Sequence, residues 1–119
     1  MLVFLLLLLA ACATSTGPFF TEKGTASWYG RSHQGQRTAD GERFNRRAFT
    51  CAHRSLPFNT ILRVTNLENG RRVRVRVNDR GPYRDGRILD LSAAAAAALG
   101  MREDGTARVR IEAFAADQR

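Results

Sequence analysis

Cysteine is scarce in this chain: only Cys12 and Cys51 occur in 119 residues. At most one disulfide is therefore open to it, and none once either thiol is used elsewhere. Two histidines, His33 and His53, add little, so a thiolate–imidazole metal site is not to be expected and no metal or cofactor is implied. The longest hydrophobic run, Met1 to Ala11, falls short of the roughly 20 residues a membrane-spanning helix needs. Lysine is nearly missing: Lys23 stands alone, so the net charge of +8 is carried by arginine. No internal repeat is evident, and the one low-complexity stretch is Ala93 to Ala98. A disulfide scaffold and a repeat array are thereby excluded, and a permanent transmembrane helix is disfavoured.

What is present begins with Leu9-Ala10-Ala11-Cys12, closing the apolar run. A leucine, two small residues and a cysteine form the pattern at which a lipoprotein signal peptide is cut and the cysteine acylated. Ala13 in place of aspartate then points to the outer membrane, facing the periplasm. No Lys or Arg precedes the run, although signal peptides start with positive charge, and a start codon placed too far downstream is the expected reason. The expected organisation is a signal peptide over 1–11, a lipidated tether over 12–23, one domain over 24–114 and a tail over 115–119. If Cys12 is lipidated, Cys51 is left alone and reads as a small buried residue. A nucleophilic Cys51/His53 pair is the alternative, disfavoured because no third group is placed to orient it.

The body reads as short strands divided by turns. Gly24–Tyr29 is a first strand; Thr60–Thr65 and Arg72–Val77 form a hairpin around Glu68-Asn69-Gly70, since Asn-Gly between apolar runs is a strong turn signal. Val73, Val75 and Val77 alternate with Arg72, Arg74 and Arg76, which predicts valines inward and a solvated arginine face. Arg87–Leu89 and Thr106–Glu112 complete the strands. One helix is signalled by Ser92 as N-cap, the alanine run, and Gly100 just past the end. Many short strands with one or two short helices predict a mainly β fold, a small barrel.

The chemistry concentrates in Val77-Asn-Asp-Arg-Gly-Pro-Tyr-Arg-Asp-Gly-Arg-Ile-Leu-Asp-Leu-Ser92. Asp79 ends one strand pattern and Asp90 ends the next, so a Gly/Pro loop can bring two carboxylates to one cleft. Paired carboxylates are the equipment of glycosidic bond cleavage. Glu42 lies in a Gly-containing loop, Thr38-Ala-Asp-Gly-Glu42, and His53 just before the turn at Leu56-Pro57. Trp28 and Tyr29 point to opposite faces of their strand, so one packs in the core while the other is free to stack on a sugar. Asn78, Arg80 and Tyr83 flank the first aspartate as further substrate-binding candidates, and His33 is a weaker one.

In that order, Thr38–Glu42, Cys51–His53, Leu56-Pro57 and Val77–Ser92 resemble the rare lipoprotein A family of bacterial cell-envelope proteins, related to expansins. The likeness spans Gly24 to about Glu112. It implies a six-stranded double-psi β-barrel and a lytic transglycosylase acting on peptide-stripped peptidoglycan, leaving 1,6-anhydro-muramic ends. A non-catalytic, expansin-like glycan-binding module is the alternative. The family pattern nominates Glu42, His53 and Asp79, whereas in the expansin and endoglucanase relatives the acid matching Asp90 is the functional one. Asp79 or Asp90 is the expected acid/base. The implied partners are glycan strands, whose free lactyl carboxylates suit arginine, and the membrane through Cys12. Nucleic acid is not expected of an exported chain, and the protein is expected to be a monomer. Many members carry a carboxy-terminal glycan-binding domain; with the chain stopping soon after Phe114, none is expected here.

Overall fold

The computed structural model describes residues 17–30 and 33–115. The strands are β1 (Phe20–Trp28), β2 (Thr50–Ala52), β3 (Ile61–Asn66), β4 (Arg72–Asp79), β5 (Arg87–Leu91) and β6 (Ala107–Ala113), with one helix, α1 (Ala93–Ala98), among the described residues. They close into a barrel in the order β1-β5-β2-β4-β3-β6. β1 pairs with β5 and β2 with β4 in parallel; the other neighbours are antiparallel.

Alternation drives the closure. In β4, Val75 and Val77 are buried and Val73 packs against the same core, while Arg72 and Arg74 are exposed. In β6, Ala107, Val109, Ile111 and Ala113 point inward past Arg108 and Arg110. Leu62 and Val64 of β3 and Leu89 and Leu91 of β5 complete the interior, each fully buried side chain contributing roughly 1.5–3 kcal/mol. The predicted hairpin is present: Val64 faces Val73, Leu62 faces Val75, and Gly70 takes a left-handed φ of 79°. Helix α1 also starts and stops as expected. Ser92 Oγ accepts from Ala95 N, and Gly100 follows the C-cap at a φ of 70°.

Several strand expectations are corrected. β1 begins at Phe20 rather than Gly24, because Phe20–Lys23, assigned to the tether for their polarity, pair with Arg110–Ala113 of β6. β5 runs two residues past Leu89, so Asp90 lies within a strand rather than beyond it. β2 had no counterpart in the sequence reading; its three residues are all buried and show no alternation to detect. The predicted strand Thr60–Thr65 lies one residue further on, as Ile61–Asn66.

Candidate active site

Ala52 organises the site. It is the register partner of Asp79 on β4 and of Asp90 on β5, so the two carboxylates stand on the same sheet face with one strand between them. Two strand spacings separate their backbones by ~10 Å. Asp90 in turn faces Ser27 of β1, whose hydroxyl donates to Asp90 Oδ1. Between Cys51 and Ala52 the pairing with β4 slips by a residue, from Val77 to Asp79. Such a bulge re-aims a side chain: Val77 enters the core, and Asp79 pairs with Ala52, which packs outside it with Tyr29 and Phe44.

Asp79 is fixed by three donors. Its Oδ1 accepts from Ala39 N and from Arg80 N, each at 2.9 Å, and its Oδ2 accepts from the Tyr29 hydroxyl at 2.8 Å. Tyr29 is 9% exposed, with its ring 4.7 Å from Phe44 and 4.9 Å from His33. Burial, then the hydrogen bond to Asp79 and the nearby charges of Asp79 and Asp90, push its phenol far above the ordinary range. It is therefore a permanent donor.

Glu42 sits beside this pair in a different role. Arg76 grips it with both terminal nitrogens, at 2.9 and 3.0 Å, and Asn78 Nδ2 donates to it at 3.1 Å. The Arg76 hydrogen bonds, then that from Asn78, hold its carboxyl below the usual carboxylate range. Asp40 anchors the loop: it accepts from Thr38 Oγ1 and Glu42 N, and its own N–H donates to the Asn78 carbonyl. Arg76 consequently does not belong to a solvated arginine face; it is drawn to Glu42, with Asp40 3.7 Å away. Asn78 is 2% exposed, and among the described residues its Oδ1 has no partner.

His53 is turned elsewhere. Its Nδ1 accepts from Ser55 N and Leu56 N, both at 3.1 Å, which puts the ring N–H on Nε2, 3.1 Å from Glu22 Oε1. The ring is 4% exposed and lies edge-on to Phe20. Among the described residues its side chain makes no hydrogen bond to Glu42, Asp79 or Asp90. Only its backbone reaches the site, its N–H donating to the Asp79 carbonyl.

The other candidates separate in the same way. Trp28 packs against the barrel core with Arg102 over its ring, on the opposite face to Tyr29. Arg80 stacks 4.0 Å over Phe58 and donates to the His53 carbonyl. Tyr83, 77% exposed on the β4–β5 loop, leaves an aromatic face free. Cys51 is wholly buried, and burial pushes its thiol well above the ordinary range, so a Cys51 nucleophile is excluded. Ser27, Ala39, Arg76, Asp40 and Glu22 were not anticipated. Ser27 was open to detection, since it lies two residues before Tyr29 on one strand face.

A closed six-stranded barrel with two parallel pairs, carrying Asp79 at the end of β4 and Asp90 one residue before the end of β5, is of the double-psi class. The lytic transglycolase family matches residues 21–111, and the chain belongs to that family. It is 56% identical over 89 residues to the probable endolytic peptidoglycan transglycosylase RlpA of Synechocystis, covering 75% of this chain and 28% of that protein. The endolytic peptidoglycan transglycosylase RlpA of Campylobacter jejuni is 55% identical over 92 residues, 77% of this chain and 34% of the relative. The chain thus spans about a third of the length of these curated relatives. Among solved structures, the expansin of Clavibacter michiganensis superimposes with a TM-score of 0.63 at 28% identity, over 82% of this chain and 52% of that one.

Proposed function

We propose that the protein is a lytic transglycosylase of peptidoglycan, acting on peptide-stripped glycan, with Asp79 as the acid/base. The observation that carries this is the fixing of Asp79 at the β4 bulge by two backbone N–H groups and Tyr29, beside a second aspartate in register. The relatives' names support the substrate class. In the reaction, Asp79 gives its proton to the glycosidic oxygen as the bond from the muramic anomeric carbon breaks. The muramic C6 hydroxyl then attacks that carbon and returns its proton to the same carboxylate, so no water is consumed. Glu42, kept anionic by Arg76, and Asp90 supply negative charge for the oxocarbenium-like transition state. His53 supports the site through its backbone rather than as an acid or base. Of the three flanking candidates Tyr83 is the exposed stacking surface, while Asn78 is buried against Glu42 and Arg80 lies over Phe58.

Incubation with peptide-stripped glycan followed by mass spectrometry tests the reading. Anhydro-muramic ends are expected; reducing ends would mean a hydrolase, and no products an expansin-like binder. Asp79→Asn, which keeps shape and can still accept from Ala39 N and Arg80 N, should lower turnover by roughly 10²–10⁴ with glycan binding retained. Equal turnover in well-folded Asp79→Asn and Asp90→Asn would sink the assignment. Residues 1–16, with Cys12 and the signal peptide, lie outside the described residues, and the acyl anchor enters the proposal on sequence alone, with an outer-membrane location and a monomeric state. Cys12→Ser should abolish palmitate labelling and leave unprocessed precursor; unchanged labelling would refute the anchor.

A further inference from the structure

Three shallow concavities follow one another along the flank that carries α1, and they share arginines. Arg46 and Arg47 line the first beside Gln34. The same two, with Arg102, line the second, of about 370 Å³. Arg102 also lines the third, beside Trp28, where Glu103 and Asp104 are the acidic members. The backbone of the flank is pinned: Arg46 N donates to Gln34 Oε1 and Ala94 N donates to the Arg46 carbonyl, each at 2.9 Å. Arg63, Arg76 and Arg110 all pair with acids, whereas the guanidinium groups of Arg46, Arg47 and Arg102 pair with none among the described residues. Among the described residues Arg102 lies over the Trp28 ring, 5.2 Å from its centre.

The flank is continuous with the site. Gly35, next to Gln34, donates to the Phe44 carbonyl, and the Phe44 ring lies against Tyr29, whose hydroxyl holds Asp79. We propose that Arg46, Arg47 and Arg102 form an extended subsite that takes the lactyl carboxylates of the glycan strand running out of the cleft. Resting on the transglycosylase reading, it locates where the strand leaves the acids. Three unpaired guanidiniums fit carboxylates by bidentate pairing. A strand that still carries its peptides has those carboxylates in amide linkage, so the subsite would select for stripped glycan.

The test compares two strands of equal length, one peptide-stripped and one with its carboxylates converted to methylamides. Wild-type protein should bind the free-carboxylate strand about tenfold more tightly, because exposed charge pairs each contribute modestly. Arg46→Ala/Arg47→Ala/Arg102→Ala should lose that preference while keeping its melting temperature and its affinity for the methylamide strand. Arg46→Lys/Arg47→Lys/Arg102→Lys, which keeps charge but not the fork, should fall between. A triple alanine variant that still prefers the free-carboxylate strand overturns the subsite. So does one whose binding to phosphatidylglycerol vesicles falls while its glycan preference stands, since the flank would then meet the membrane. Binding is read without turnover, so failure to form anhydro ends would remove the transglycosylase reading and leave this comparison intact.

Discussion

Glu42 and Asp79 are both carboxylates on one rim, and their neighbours assign them different work. Glu42 receives a guanidinium fork and an amide; Asp79 receives backbone N–H groups and a phenol. Because the folded-state pKa of Glu42 lies below its ordinary 4.5, the sign of its pH effect is set. The stabilisation from its pairing is present above the unfolded value and is lost as pH falls through the folded one. Glu42→Gln should therefore melt below wild type at neutral pH, and the gap should close as pH drops below 4.5. Melting curves across an acid series measure this; a gap independent of pH would show that the pairing charge is immaterial. Strand ends and turn residues, which are written locally, put Asp79 and Asp90 on one side of the barrel, whereas Glu42 was nominated only by the family resemblance. The sequence reading misplaced His53, whose partner Glu22 lies 31 residues away, and it misread Arg76, since alternation tells inward from outward but not which outward charge meets an acid.

Elements were legible in proportion to their length and period. β4 and β6 alternate cleanly, and α1 carries its own N-cap and glycine stop. β2 is three residues long and joins β4 to β5 wholly through tertiary pairing, so no local signal announces it. The polar start of β1 escaped for the same reason: Phe20–Lys23 are strand because β6 pairs with them. The β1–β5 contact is equally non-local and depends on a glycine. A Cβ on Gly24 would lie 2.6 Å from Ile88 Cγ2 and 3.1 Å from its Cγ1, and Ile88 is buried. Gly24→Ala should cost about 1–3 kcal/mol through overpacking, outweighing the roughly 0.5–1 kcal/mol that alanine gains over glycine inside a strand. Gly30→Ala, where a Cβ meets nothing within 4 Å, is the control. Equal denaturation midpoints for the two variants would show that β1 and β5 do not approach so closely.

Across the whole molecule, closure of the barrel removes free sheet edges and leaves function to the rim and the loops over it. The fold alone does not separate a glycan-cleaving enzyme from an expansin-like binder, since a solved expansin shares it. Charge is the second whole-molecule property: a net +8, almost all arginine, on a domain this small favours a polyanionic partner over a neutral polysaccharide. Stripped peptidoglycan carries one carboxylate per disaccharide, whereas a cellulose-like chain carries none. Affinity for stripped glycan should therefore fall steadily with added salt, as exposed charges are screened over about 8–10 Å near physiological ionic strength. Affinity for a neutral chitin oligomer of equal length should barely move, because stacking on Tyr83 and hydrogen bonds at the rim are insensitive to screening. Sedimentation of each glycan with the protein across a salt series reads both slopes at once. Parallel slopes would remove arginine from recognition and leave the rim to bind by shape alone.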